Sequence, residues 1–357
     1  MIDVLLVDDS AEVRSGLRRL LAAQRDIAVV GEAASGREAL RLIAVLKPDV
    51  VLMDADMPGM DGFETTVEVM ARSAMPIIIV SAHEDAGEAD KAFRAMEAGA
   101  VALVALPSGT GESHGRREAE IVQTVRAMAE VRVVRRRRRA ASPPPPCAAQ
   151  APVARGAVDL IAIGASTGGP QALQRVLAGL PDDLQAAVVV VQHITPDFQE
   201  SFVSWLADAT GLSVHLATNG QALHRAGVYV APHPYQMGID RERLIVLRDD
   251  PPESGLRPAV SYLFRSVATV AARRTAAILL SGMGQDGAAE LLELRARGAL
   301  TIAQDEATSV VHGMPGEAIR LGGAMFVLSP EEIGALLADV TGSAAAGRCG
   351  SGPARRA

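Results

Sequence analysis

The sequence is poor in cysteine and in lysine. Its two cysteines, Cys147 and Cys349, lie beside a proline run and in the tail "AAAGRCGSGPARRA". That placement indicates neither a disulfide framework nor a cysteine-built metal site. No apolar run approaches the roughly 20 residues that a membrane-spanning helix requires. The longest valine-rich stretch, "AAVVVVQHI", is strand-sized, so no membrane insertion is expected. The opening "MIDVLLVDDS" has neither a basic start nor a small-residue cleavage site. No secretory signal is therefore expected, and the expected location is the cytoplasm. The only lysines are Lys47 and Lys91. A net charge of -7 argues against nucleic acid as a partner of the chain as a whole, although basic charge peaks at Arg135 to Arg139.

What is present is apolar and periodic. Nearly half of the 357 residues (49%) are hydrophobic, and a chain of this length exceeds what one core usually organises. From Ile2 to Leu106, strand-like runs ("DVLLV", "IAVVG", "VVLMD", "IIIVS", "VALVAL") alternate with helix-period segments such as "AEVRSGLRRLLAAQ" and "GREALRLIAVL". The alternation predicts a (βα)₅, flavodoxin-like unit over residues 1–130, closed by a helix in "REAEIVQTVRAMAEV". The like-charge run and four consecutive prolines of 131–156 cannot build a core and predict an extended linker. A second α/β unit over 157–340 opens strand-loop-helix in "VDLIAIGASTGGPQALQRVLAGL" and returns to βαβ in "TAAILLSGMGQDGAAELLELRARGALTIAQ". Its expected fold is a doubly wound, mostly parallel, Rossmann-like sheet with a small antiparallel hairpin within "GVYVAPHPYQMGIDRERLIVLRD". The last predicted helix is "SPEEIGALLADV", and residues 341–357 are expected to be a disordered tail.

In the first unit, Asp8 and Asp9 end the first strand and Asp54 ends the third, within "VLMDADMPGMDG". Carboxyl ends of strands in a doubly wound sheet share one edge, so the three carboxylates should converge. Like charges at that density need a cation. Hard oxygen ligands with room for water fit Mg²⁺, which could also bridge to a phosphoryl group on Asp54. Ser81 places a hydroxyl at the same edge. The competing reading is that such aspartates cap helices and form turns, as Asp9 or Asp61 could.

The second unit puts Ser166 among glycines in "IGASTGGP". A phosphate-cradling loop fits poorly. Ser166 replaces the second glycine of a dinucleotide fingerprint, the next strand ends in Gln192 and His193 rather than an acid, and no lysine follows for a P-loop. "G-A-S-T-G" instead fits G-x-S-x-G, a sharp turn that exposes a serine hydroxyl at the end of a strand. Such a hydroxyl needs a base and a group that orients the base. His193 ends the following strand, and Asp286 follows "TAAILLS", so three strand ends offer hydroxyl, imidazole and carboxylate in the order Ser, His, Asp. Taken singly, Ser166 could cap the helix near Pro170, His193 could be a polar strand end bonded to backbone, and Asp286 could cap "GAAELLELRARG".

Two resemblances sharpen these readings. The first 120 or so residues resemble the receiver domain of bacterial response regulators. This implies phosphorylation of Asp54 by a histidine kinase, with Mg²⁺ held by Asp9 and Asp8 together with Asp54. Receivers carry a lysine before the proline that follows the fifth strand; here Leu106 precedes Pro107, which predicts weakened control by phosphate. The region from Val158 to Leu336 resembles the catalytic domain of chemotaxis protein-glutamate methylesterases, through "IGASTGGP", "VVQHI", "VYVAP", "LFRSVA", "SGMGQDGA" and "IAQDEATSVVHGMP" in order. By resemblance Ser166 is the nucleophile, His193 the general base and then acid, and Asp286 the orienting carboxylate, with the amides of Met283 and Thr167 as oxyanion donors and no cofactor for the ester chemistry. The implied substrate is a glutamate methyl ester, or a glutamine, of a methyl-accepting chemotaxis receptor. The implied regulation is an unphosphorylated receiver packed over the active site. Some positions depart: "APHPYQ" stands where "APGDYH" is usual, putting His233 in a surface loop, and Ser261 stands where aspartate is common. Two rival readings are a non-catalytic signalling scaffold and a nucleic-acid-responsive regulator acting through Arg135 to Arg139. The second lacks a helix-turn-helix and any aromatic stacking pattern.

Overall fold

The computed structural model describes residues 1–81, 86–107, 112–129, 131 and 158–342. The expected linker and tail lie outside these, apart from Val131, Thr341 and Gly342. The first unit alternates β1 (Ile2–Val7), α1 (Ala11–Ala22), β2 (Ile27–Ala33), α2 (Gly36–Leu46), β3 (Val50–Asp54), α3 (Gly62–Ser73), β4 (Ile77–Ser81), α4 (Ala86–Ala98), β5 (Ala102–Ala105) and α5 (Glu112–Ala129). Its strands form one parallel sheet in the order β2-β1-β3-β4-β5. Helix starts are written in the sequence: Ser10 and Ser35 accept the amides of Val13 and Glu38, and Asp61 accepts that of Glu64 at 2.7 Å. Asp61 is thus a cap, as one reading of it held.

The second unit begins with β6 (Leu160–Ala165), α6 (Gly169–Ala178), β7 (Ala187–Gln192), α7 (Gln199–Thr210), β8 (Ser213–Leu216) and β9 (Gly227–Val230). It continues through β10 (Gln236–Ile239), β11 (Ile245–Arg248), α8 (Val260–Val270), β12 (Thr275–Leu279), α9 (Ala288–Ala296), β13 (Leu300–Gln304), α10 (Met314–Arg320), β14 (Phe326–Leu328) and α11 (Pro330–Thr341). Seven strands pair in parallel in the order β14-β13-β12-β6-β7-β9-β8. Every residue of β6 and β7 is buried, as expected of central parallel strands covered on both faces. Ile161, Ile163, Val188 and Val190 face one core with Leu173 and Leu337, while Leu160, Ala162, Val189 and Val191 face the other with Phe264 and Leu291.

The hairpin reading of "GVYVAPHPYQMGIDRERLIVLRD" holds for its second half. β10 and β11 pair antiparallel, Gln236 opposite Arg248, as a separate two-stranded sheet. The first half, β9, instead joins the main sheet in parallel because all four of its residues are buried and require cover on both sides. No helix among the described residues is long and apolar enough to cross a membrane.

Candidate active site

In each sheet the strand order reverses beside the central strand, and the crevice at the carboxyl ends of the strands there is where doubly wound folds bind ligands. In the first sheet this reversal lies between β1 and β3. Asp8, Asp9 and Asp54 meet there, with one carboxylate oxygen from each within 4.8 Å of the others. Asp8 is buried, Asp54 half-buried and Asp9 exposed. Burial pushes the Asp8 carboxyl up to about 6, with the Ser10 amide opposing and the Asp9 charge adding to the rise. A buried acid beside two more carboxylates is a donor set suited to a small hard divalent cation, and Mg²⁺ fits. Arg14 donates to the backbone carbonyl of Asp8 at 2.6 Å, which fixes the turn, and Lys91 on α4 pairs with Asp56 at 2.6 Å. Leu106 is half-buried and packs against the apolar core of this unit, so its place after β5 offers no cation.

In the second sheet the reversal lies between β6 and β12. Ser166 follows β6, His193 follows the adjacent β7, and Asp286 lies in the loop after β12, on the other side of β6. Nε2 of His193 is 3.0 Å from Oδ2 of Asp286, with side chains 12% and 7% exposed. The contact is off the N–H direction, so the two groups stand in close contact without a linear hydrogen bond, and the pair is ionic only when the ring carries a second proton. Burial works to raise the Asp286 carboxyl, but the His193 ring and the Ser261 side chain and amide outweigh it and hold the group below the usual carboxylate range. Among the described residues Ser166 Oγ makes no hydrogen bond to the ring, and both line one cavity of about 570 Å³.

Neither the Ser166 cap nor the Asp286 cap weighed from sequence is adopted. The residue capping α6 is Gly168, without a side-chain bond, so Ser166 is not the cap. The helix after Asp286 is capped by Gly287, and the Asp286 carboxylate instead accepts the amides of Val260 and Ser261, the first two of α8. The amides of Thr167 and Met283 donate to no other group among the described residues, and both residues line the cavity. His233 is exposed in the loop after β9, at the rim of the same cavity.

Several residues that hold this loop escaped the sequence reading. Gln192 Nε2 donates to the carbonyls of Ser166 at 2.8 Å and His193 at 2.9 Å, tying two strand ends together. Ser281 Oγ donates to the Thr167 carbonyl at 2.7 Å and accepts the Val311 amide at 3.0 Å. Glycine is required at 168, where φ is +73° and a Cβ would come within 2.4 Å of Val310 Cβ. The available signal was a polar residue ending an otherwise apolar strand.

The first unit lines one side of the cavity. Arg117 and Glu120 of α5 line it opposite Ser166 and His193. Arg117 pairs with Asp197 at 2.5 Å, and burial raises the Glu120 carboxyl against the Arg117 charge and a hydrogen bond with Thr195. Nearby, Gln171 Nε2 donates to the carbonyls of Met96 at 2.6 Å and Ala100 at 2.5 Å, and Trp205 donates to Glu97 at 2.9 Å. Phe93 stacks on Trp205 with ring centroids 5.3 Å apart.

Comparison with known proteins matches residues 4–113 to the response regulator receiver domain family and residues 161–337 to the CheB methylesterase family. The chain is 47% identical over 339 residues to protein-glutamate methylesterase/protein-glutamine glutaminase 4 of Geobacter metallireducens, covering 93% of this chain and 97% of that one. It is 43% identical over 354 residues to protein-glutamate methylesterase/protein-glutamine glutaminase 1 of Syntrophus aciditrophicus, covering 97% and 100%. The crystal structure of the Thermotoga maritima CheB methylesterase catalytic domain matches 51% of this chain and 97% of its own at 33% identity, with a TM-score of 0.49.

Proposed function

The chain belongs to the CheB methylesterase family, with a response regulator receiver domain ahead of the catalytic domain, and from that premise we propose that it hydrolyses glutamate methyl esters of methyl-accepting chemotaxis receptors and deamidates receptor glutamines. The observation that carries the reading is the meeting of Ser166, His193 and Asp286 at the reversal of the second sheet. The names of the relatives favour an enzyme over a non-catalytic scaffold.

With Nε2 engaged by Asp286, Nδ1 of His193 is the nitrogen available as base. Ser166 Oγ attacks the ester carbonyl as Nδ1 takes its proton. The Thr167 and Met283 amides receive the oxyanion, a contribution worth about 10²- to 10³-fold per donor in serine hydrolases. Methanol leaves with the proton from His193. Water then attacks the acyl-enzyme, Nδ1 takes its proton and returns one to Ser166, and a glutamate carboxylate is released. With glutamine as substrate, ammonia leaves in the first half. Positioned acid-base catalysis of this type contributes about 10²- to 10⁴-fold.

Regulation works through the receiver. A histidine kinase supplies the phosphoryl group to Asp54. Mg²⁺, held by Asp8, Asp9 and Asp54, would neutralise charge during that transfer. The receiver face that carries Arg117 and Glu120 covers the serine in the unphosphorylated chain, and the site of action is the cytoplasmic part of the receptors. Methanol release from a methylated receptor cytoplasmic fragment tests the activity. Release by the intact chain that vanishes in Ser166→Ala supports it, and no release from any methylated receptor tried would overturn it.

A further inference from the structure

The Asp286 carboxylate is held from two sides. Its Oδ2 accepts the Val260 amide at 2.7 Å and its Oδ1 the Ser261 amide at 2.9 Å. These amides open α8, where N–H groups have no partner within the helix and carry the positive end of its dipole. The Ser261 side chain reaches in the other direction. Its hydroxyl accepts the amide of Gly287, the residue after Asp286, at 2.9 Å, and donates to Oε2 of Glu290 at 2.9 Å. Oε1 of Glu290 accepts from Arg265 at 3.0 Å, and Arg265 also pairs with Glu253. Glu290 is only 16% exposed.

The Gly287 amide can only donate and an ionised Glu290 can only accept, so in this arrangement the Ser261 proton goes to Glu290 while the hydroxyl lies beside the Asp286 carboxylate. The hydroxyl is thereby fixed where it pins the main chain beside Asp286. We infer that Glu290, acting through Ser261, is a positioning residue for the carboxylate that orients His193, and that Ser261 and Glu290 are a matched pair. The inference rests on the assignment of Asp286 to the triad. It also accounts for the serine at 261. A carboxylate there would stand within hydrogen-bond reach of Glu290 and beside Asp286, and like charges so placed cannot all remain ionised.

Loosening Asp286 weakens its support of the His193 imidazolium. The acid limb of kcat/KM should then move to lower pH while kcat falls and KM stays. Among the described residues the other charged or titratable side chains around the cavity are Arg117, Glu120, Arg257 and His233, and none is altered by the substitutions below.

The test uses the full chain with two readouts, methanol release from a methylated receptor fragment and the rate of Ser166 labelling by a fluorophosphonate. Ser261→Thr, which keeps the hydroxyl, should stay within about twofold of the wild type. The near-isosteric Ser261→Val and Glu290→Ala should each lose about tenfold in kcat with a shifted acid limb, the scale of loss when groups orienting a functional ligand are removed. Ser261→Asp should be worse than Ser261→Val, and adding Glu290→Ala to Ser261→Asp should recover activity, a coupling that a double-mutant cycle reads directly. Equal activity of Ser261→Thr and Ser261→Val, an unmoved acid limb in Glu290→Ala, or no recovery in the double variant would overturn the inference. If the wild type neither labels nor releases methanol, it is the esterase reading that fails. If the wild type is active and the variants match it, only the positioning role fails.

Discussion

Nε2 of His193 rests 3.0 Å from Oδ2 of Asp286, and that carboxylate is in turn bonded to the first two amides of a helix that begins 26 residues earlier. The Asp286 carboxylate is therefore fixed to the scaffold independently of the histidine.

Because this environment depresses the Asp286 carboxyl, it stays ionised below the ordinary carboxylate range. Its contribution to stability is full above the ordinary carboxylate pKa and is lost only as pH falls through the lower, folded value. The acid limb of the rate therefore reports His193. Methanol release should fall as the imidazole protonates, and a rate flat down to about pH 5 would rule out histidine as base. Asp286→Asn should lower kcat by on the order of 10⁴-fold, since the amide favours the wrong tautomer.

Asp8 behaves in the opposite sense. Its folded-state carboxyl is raised from 3.8 to about 6 by burial, so without a cation the fold holds this proton more tightly than the unfolded chain does. The associated stability is present below the ordinary value and is lost as pH rises through about 6. A divalent cation competes with that proton. Mg²⁺ should raise the thermal midpoint of the receiver clearly at pH 8 and little at pH 5. A shift of equal size at both values would remove Asp8 from the site.

On the proposed phosphorylation of Asp54, Leu106, half-buried against the receiver core, brings no charge of its own to the phosphoryl oxygens. Stimulation of methanol release by a small phosphodonor should be weak in the wild type and larger in Leu106→Lys, since an ammonium makes charge-assisted contacts that a leucine cannot. Equal stimulation in the two would show that the position is not limiting.

Gln171 is 9% exposed and spends both of its amide hydrogens on the carbonyls of Met96 and Ala100 across the domain boundary. Gln171→Leu would remove both cross-boundary bonds; the Met96 carbonyl keeps the Gly99 amide at 3.1 Å, and the Ala100 carbonyl loses its partner, at about 1–3 kcal/mol for a buried group. The covered state should weaken accordingly, and basal methanol release should rise several-fold without a phosphodonor. Unchanged basal release would mean that these bonds do not hold the cover in place.

Much of this was readable along the chain because it is local. Asp54, Ser166 and His193 are each the polar stop of an apolar strand, and Ser10, Ser35 and Asp61 each precede a helix pattern. What was not readable depends on partners far away in sequence. Gln171 finds carbonyls 75 and 71 residues earlier, and nothing in "GGPQAL" separates it from an exposed helix glutamine. Ser261 and Glu290 are 29 residues apart on two helices whose contact is set by packing. β9 was misread because four buried residues after a turn suit a hairpin and a parallel strand equally, and sheet order decided between them.

The segment at Val310 and Val311 touches both halves of the protein. These two residues pack against the apolar core of the receiver, Val310 lies where any side chain at 168 would go, and Val311 bonds the hydroxyl that holds Thr167. The receiver is thus a wall as well as a cover. Cutting it away uncovers the serine and at the same moment strips the support behind the loop that carries it, so the isolated catalytic half is a different enzyme from the intact chain with its receiver swung aside.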